Sequence, residues 1–247
     1  MTAPEPRARR LSIVIPVYNE EQTIEQVLDI IDSLDVGDLE KEVVVVDDGS
    51  TDGTAQIIAR RTARGTGLRL SHQSIINLGK GAAVRFGFKY ATGDIILIQD
   101  ADLELDPQEC RRLIEPILSG QADVVYGSRF AAGSRGVPAV TRWANRLLTW
   151  LTNLLYGVRL TDMETAYKVF RRRVLQRVAL RCVGFDIEPE ITARVIQAGF
   201  RIHELPIGYN PRRVDEGKKL SWTDGVDAVY TLVRCRLVAQ RGRPAAS

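Results

Sequence analysis

The sequence predicts an α/β protein built on a mainly parallel sheet with helices on both faces, and three observations carry that prediction. Short runs of β-branched and aliphatic residues alternate with segments of helical apolar spacing. Several of these runs are apolar at consecutive positions, as strands buried on both faces must be. The polar clusters follow the runs after Ile15, Val46 and Gln99, which is where ligands bind in open parallel sheets.

Leu11 to Pro16 reads as the first buried strand. The loop Tyr18-Asn19-Glu20-Glu21 follows it, and a helix then carries Ile24, Val27, Leu28, Ile31 and Leu34 on one face. Val43 to Val46 is a second strand that ends in Asp47-Asp48-Gly49-Ser50. Thr51-Asp52-Gly53-Thr54 begins a helix over 55–63, with Asp52 suited to cap it. Leu68 to Ser71 reads as a short third strand, Gly79 to Tyr90 as a helix and Asp94 to Gln99 as the fourth strand. Further on, helices are expected over 107–118, near 142–155 and over 189–198, with a strand over 123–126. The domain reading is a flexible N-terminus over 1–10, a catalytic domain over 11–220, and an amphipathic helix with a basic tail over 221–247.

Composition narrows the class. The chain has 247 residues, 45% hydrophobic and 26% charged, which suits a soluble globular protein and excludes collagen-like or largely disordered readings. A net charge of +3 without a basic stripe argues against a nucleic-acid partner. Three widely spaced cysteines, Cys110, Cys182 and Cys235, form neither a disulfide framework nor zinc-ligand spacing, and a reducing cytosol fits them. No apolar run approaches the ~18 residues of a spanning helix, and the first ten residues lack a signal peptide's apolar core, so no membrane crossing is expected.

The most informative stretch is Ile95-Ile96-Leu97-Ile98-Gln99-Asp100-Ala101-Asp102, a buried run ending in two carboxylates one residue apart. Strand alternation would point Asp100 and Asp102 the same way, toward one divalent cation. Mg²⁺ or Mn²⁺ suits such a site, because hard cations take few protein oxygens and leave positions for diphosphate oxygens and water. Asp100 and Asp102 are then the expected metal ligands and catalytic residues, with Glu104 two residues on as a third candidate or the start of the Asp106-Pro107 helix. In the first loop Tyr18 can stack on a base and Glu20 can accept hydrogen bonds from a ribose. Asn77-Leu78-Gly79-Lys80-Gly81 places flexible backbone and a cation at a helix start, which suits phosphate, although P-loop spacing is absent. Arg129 ends a strand, Arg142 and Arg146 lie one turn apart, and Arg212, Arg213, Lys218 and Lys219 crowd one loop. Together they suit a multi-anionic partner.

Pro16-Val17-Tyr18-Asn19-Glu20, Asp47 to Thr54, Asp100-Ala101-Asp102 and Gly127-Ser128-Arg129-Phe130, in this order and spacing, resemble the family 2 GT-A glycosyltransferases. With the basic segment near Arg213 to Lys219, the resemblance runs to the dolichol-phosphate mannose synthase branch and its bacterial polyprenyl-phosphate relatives. It covers about 11–220 and implies a GT-A, Rossmann-like fold. It also implies an inverting transferase that moves mannose or glucose from a GDP- or UDP-sugar (GDP-mannose or UDP-glucose) to a polyprenyl phosphate. On this resemblance Pro16, Tyr18, Glu20 and Asp48 bind the donor, and the phosphate and metal readings add Lys80 and Asp100 to the donor side. Arg129, with a catalytic part, and Arg142, Arg213 and Lys219 bind the acceptor phosphate.

Asp162-Met163-Glu164-Thr165-Ala166-Tyr167-Lys168 resembles a D-x-E-T-C-Y-K signature with Ala166 in place of cysteine. It adds Asp162 and Glu164 to the donor side, with Glu188 and Glu190 lining the same cavity. A phosphate monoester, with second pKa about 6, needs no base to attack, which accords with two histidines, His72 and His203, lying outside the polar clusters. Transfer to a hydroxyl of a cell-envelope glycan or small molecule is the alternative, and it would require one of those carboxylates as base. A non-catalytic nucleotide-sugar-binding protein is a third reading. Trp143, Leu147, Trp150, Leu151 and Leu154, and then Val226, Val229, Tyr230, Val233 and Leu237, form apolar stripes beside arginines. They fit either core packing or peripheral binding at the cytoplasmic face of a membrane.

Overall fold

The computed structural model describes residues 8–64, 68–131, 137–211 and 222–241. A seven-stranded sheet in the order β3-β2-β1-β4-β6-β5-β7 forms the centre. Its strands are β1 (Arg10–Val17), β2 (Glu40–Asp47), β3 (Leu68–Gln73), β4 (Ile95–Ile98), β5 (Val124–Ser128), β6 (Lys168–Arg171) and β7 (Ile202–Pro206). Neighbours pair in parallel except β6, which runs antiparallel to both β4 and β5. The helices are α1 (Ile24–Ser33), α2 (Thr54–Ala63), α3 (Lys80–Tyr90), α4 (Cys110–Leu118), α5 (Ala139–Tyr156), α6 (Arg172–Leu175), α7 (Ile187–Gln197) and α8 (Trp222–Arg241).

Alternation along β1 distributes the core to both faces. Leu11, Ile13, Ile15 and Val17 pack with α1 and α4, while Val14 packs with Val44, Val46, Ile96 and Ala83 of α3. Approach of α3 to the sheet is close: a Cβ on Gly87 would lie 2.2 Å from Val14 Cγ1. A third cluster joins Ile98, Val124, Tyr126 and Phe170 to Ile187, Ile191 and Val195 of α7.

The chain runs outward from β1 to β3 and then returns to the other side of β1 with β4, so the strand order reverses between β1 and β4. The loops after β1, β2, β4 and β5 therefore open on one edge. Because β6 is reversed, its first residue, Lys168, and the preceding segment 162–167 come to that same edge.

Two expectations are corrected. The fourth strand ends at Ile98, and Ala101 and Asp102 lie in a turn in which Leu103 has φ +59°. Strand alternation therefore does not aim Asp100 and Asp102. The 107–118 helix begins as a 3-10 turn, Pro107–Glu109, capped by Asp106 Oδ1 accepting from Gln108 N at 2.9 Å. Strands β6 and β7 and the short helix α6 extend beyond what sequence pattern indicated.

Candidate active site

The loops after β1 and β2 are sewn together. Asn19, at φ +54°, donates its N–H to Ser50 Oγ (2.9 Å), and its Oδ1 accepts from Thr51 N (2.8 Å). Glu20 N donates to Thr54 Oγ1 (2.8 Å), and Glu20 Oε2 accepts from Thr23 Oγ1 (2.7 Å). Tyr18 is 40% exposed at the rim, placed to stack on a planar ligand, while Pro16 is buried in β1. Asp52 Oδ1 accepts from Thr54 N at 3.0 Å, an Asx turn leading into α2, whose N-cap position is taken by Gly53.

Asp48 is buried, and its oxygens accept from Leu78 N (3.0 Å) and Gly79 N (2.6 Å), tying the loop before α3 to the end of β2. Its neighbour Asp47 is also buried. Asp47 Oδ1 accepts from Ser50 N (2.9 Å), and Oδ2 has no hydrogen-bond partner among the described residues. Asp47 is absent from the donor residues that the resemblance implies, yet of the two aspartates it is the one with an unengaged acceptor.

The start of α3 differs from a phosphate cradle. Gly81 N donates to Gly184 O (3.1 Å), and Ala82 N is 3.0 Å from both Val183 O and Gly79 O, so the segment before α7 closes the helix end. Gly79 has φ +104°, and a Cβ there would lie 2.5 Å from Val183 O. The cation at this helix start, Lys80, is itself held by carboxylates. Its Nζ lies 2.8 Å from Asp100 Oδ1, 3.0 Å from Oδ2 and 3.2 Å from Glu188 Oε1. Burial alone would favour loss of the Lys80 proton, but Asp100 and Glu188 outweigh it and hold the ammonium above its ordinary range.

Glu188 in turn pairs with Lys168, which also donates to the carbonyls of Met163 and Thr165. Both side chains are almost fully buried. Burial opposes ionisation of Glu188, yet Lys168 and Lys80 keep its carboxyl below the usual range. Glu164, beside this pair, has the opposite balance. Burial raises it most, Lys168 pulls it down, Glu188 pushes it up, and it is raised to about 7 with Oε1 unpartnered among the described residues. Glu190 is committed elsewhere: its Oε2 accepts from Arg181 N and Cys182 N, each at 2.7 Å.

Asp102 Oδ1 accepts from Glu104 N at 3.0 Å, whereas Glu104 Oε2 accepts from Tyr209 OH at 3.1 Å. Among the described residues no group of three or more histidine, cysteine, aspartate or glutamate side chains is arranged to hold a metal ion. Two carboxylates are sufficient for a cation that takes its other ligands from phosphates and water.

Arg129 follows β5 and forms a fork with Asp162. Nε donates to Oδ2 and Nη2 to Oδ1, each at 2.8 Å, and Arg129 N adds a bond to Oδ2 at 2.9 Å. The guanidinium also lies 5.5 Å from the Tyr209 ring centre. Asp162 is fully buried and so orients Arg129. Arg142 is half-buried on α5, and that helix is tied to the site by Met163 N donating to Thr149 Oγ1 at 3.1 Å. Arg212, Arg213, Lys218 and Lys219 lie outside the described residues.

The histidines lie outside these clusters. His72 stacks on Phe86 with centroids 3.7 Å apart, and His203 is exposed on β7. Sequence reasoning gave no role to Lys168 or Tyr209. A lysine inside the apolar run Tyr167-Lys168-Val169-Phe170 was the available signal, since a buried ammonium needs an acidic partner.

Helices α5 and α8 pack together through Leu148, Met163, Ala228 and Leu232, with Tyr156 OH donating to Leu232 O at 2.7 Å. Each also leaves an apolar stripe outward. Trp143 is 69% and Trp150 59% exposed, with Leu147 and Leu154 beside them, and Val226, Tyr230 and Leu237 are exposed on α8. Leu151 instead packs inward against the shared cluster. No helix among the described residues is long and apolar enough to cross a membrane.

The comparisons agree with this architecture. Undecaprenyl-phosphate mannosyltransferase of Micrococcus luteus is 29% identical over 246 residues, covering 94% of this chain and 96% of that protein. Polyprenol monophosphomannose synthase of Mycolicibacterium smegmatis is 29% identical over 249 residues, with 95% and 91% covered. Glucosyl-3-phosphoglycerate synthase from Mycobacterium tuberculosis, solved with Mg²⁺ and UDP, superposes with a TM-score of 0.69 at 22% identity, over 96% of this chain and 81% of that one. The same enzyme with Mn²⁺, UDP-glucose and phosphoglyceric acid gives 0.66 at 23%, covering 92% and 80%. At these identities the superpositions establish the expected GT-A fold. The model for "Glycosyl transferase family 2" matches residues 12–179, spanning the four motifs and the Asp162–Lys168 segment, and on that match the chain belongs to glycosyl transferase family 2.

Proposed function

We propose that this protein transfers a hexose, mannose or glucose, from a GDP- or UDP-sugar to a polyprenyl phosphate, with inversion, at the cytoplasmic face of a membrane. The observation that carries the reading is end-to-end similarity to two proteins named for polyprenyl-phosphate or polyprenol-phosphate mannosylation. The cation-holding edge and the outward apolar helices fit it. Tyr18 stacks on the base, Glu20 takes the ribose, and Asp47 and Asp48 close the base end. Asp100 and Asp102 hold Mg²⁺ or Mn²⁺, which when bound supplies positive charge to the departing diphosphate. Lys80 adds a cation on the same side, in a largely dry setting where such charge acts strongly.

Arg129, aimed by Asp162, presents its guanidinium to the acceptor phosphate, with Arg142 and the basic loop carrying Arg213 and Lys219 completing the anion site. A phosphate monoester attacks as an anion, so no side chain need remove a proton. The exposed tryptophans of α5 and the stripe of α8 rest at the bilayer surface, with Arg146 beside them on α5. In domain terms, residues 11–220 form the catalytic unit and 221–247 a membrane-facing helix and tail.

One observation favours a second reading. Glu164, raised to about 7 with an unengaged oxygen, has the properties of a general base, as transfer to a hydroxyl requires. The Glu164→Gln variant separates the two. Transfer to polyprenyl phosphate that stays within tenfold of wild type supports the phosphate acceptor, whereas the hydroxyl reading predicts no transfer to polyprenyl phosphate by wild type and a loss of ~100-fold or more, with a flattened pH profile, in transfer to a hydroxyl acceptor.

A further inference from the structure

Four charges form a chain across the sheet edge, Asp100 and Lys80 partly exposed and Glu188 and Lys168 buried. Lys80 touches both oxygens of Asp100, at 2.8 and 3.0 Å, and these are the lone pairs a divalent cation would need. It also lies 3.2 Å from Glu188, so it has an alternative anion within reach without a change of helix position. Lys168 shares that same carboxylate and is anchored in turn by the carbonyls of Met163 and Thr165. The chain is neutral as it stands. With a cation on Asp100, Lys80, Glu188 and Lys168 together carry one net positive charge, which suits a diphosphate leaving group.

We propose that Glu188, divided between Lys80 and Lys168, is a positioning residue that sets how firmly Lys80 holds Asp100, and thereby sets the affinity of the aspartate pair for a divalent cation. The proposal rests on the metal reading of Asp100 and Asp102. Without Glu188, Lys80 has Asp100 as its remaining anion in this chain and competes fully with the cation. With Glu188 present, Lys80 has somewhere to go when the cation arrives.

The test is Mn²⁺ binding to the full-length protein without nucleotide, read from the electron paramagnetic resonance signal of free Mn²⁺. The Glu188→Gln/Lys168→Met double variant removes one charge of each sign, so long-range electrostatics nearly cancel. The expected Kd for Mn²⁺ rises about tenfold. Lys80→Met, which removes the competitor, lowers the Kd, and adding it to the double variant erases the tenfold rise. Glu188→Asp keeps every charge but draws the carboxylate back from Lys80, so it gives a smaller rise and serves as the test where circular dichroism shows that the double variant does not fold. A double variant that is folded and binds Mn²⁺ as wild type does would overturn the proposal. So would a rise that persists in the Lys80→Met background, or an unchanged Glu188→Asp variant. Absence of Mn²⁺ binding to the wild-type protein would overturn the metal reading itself.

Discussion

At the carboxyl edge of the sheet the charged side chains hold one another, whereas on the α5–α8 face large apolar side chains are left facing outward. Lys80 with Asp100, Lys168 with Glu188 and Arg129 with Asp162 are internally matched. Trp143, Trp150 and Tyr230 lie more than half exposed. The first arrangement costs desolvation, which is offset only when each charge has a well-placed partner. It yields a site whose orientation is set before substrate arrives. The second leaves apolar area in water unless another phase covers it. One region is thus matched within itself, and the other leaves apolar area that the proposed function assigns to a bilayer surface.

The comparison breaks most visibly at Asp102. Replacing it with alanine is expected to lower turnover at least ~1,000-fold with the thermal midpoint held, because the leaving diphosphate loses its neutralising centre. Near-wild-type turnover would remove the metal role. On the other region, Trp143→Glu with Trp150→Glu should weaken binding to anionic vesicles by about 100-fold, measured by co-sedimentation, with helix content unchanged. Unaltered sedimentation would assign the stripe to another use.

A finer distinction lies within the matched pairs. Arg129→Lys keeps the charge but not the two-pronged geometry toward Asp162, so turnover is expected to fall by roughly 10–100-fold while KM for the nucleotide sugar stays constant. A raised donor KM instead would move Arg129 to the other substrate.

The smallest effect concerns Glu164, whose native carboxyl is raised from 4.5 to about 7. The native state therefore binds the proton more tightly than the unfolded chain. The stability this provides is complete below about pH 4.5 and is lost as pH rises through 7. Glu164→Gln should match wild type near pH 5 and exceed it by about 2 kcal/mol at pH 8, measured by urea denaturation. An equal difference at both pH values would contradict the shift.

Much of the first region was legible in the sequence. The strands β1, β2 and β4 are unbroken apolar runs, and a polar cluster directly after each marks the binding edge of a parallel sheet. Strands β6 and β7 were not legible, because Lys168 interrupts one and His203-Glu204 the other, and the reason for each interruption lies far away in the chain. The same limit applies to the site. Tyr18, Glu20, Asp100 and Asp102 follow from position at strand ends, but the partners of Asp48 and Asp162 lie about 30 residues distant and come together only through folding. The glycines around Lys80 suggested a phosphate loop, and Val183 and Gly184 close that helix end instead. The apolar stripes were visible as stripes. Leu151 turns inward while its neighbours turn outward, a difference fixed by the packing of α8 on α5.

The most direct measurement of the central claim is transfer of label from radiolabelled GDP-mannose or UDP-glucose to vesicles containing undecaprenyl phosphate. The account predicts label in the organic phase as an acid-labile phosphodiester, abolished by EDTA and restored by Mn²⁺ or Mg²⁺. Label that stays in the aqueous phase with every donor, or that appears on a hydroxyl while the lipid phosphate is untouched, would contradict it.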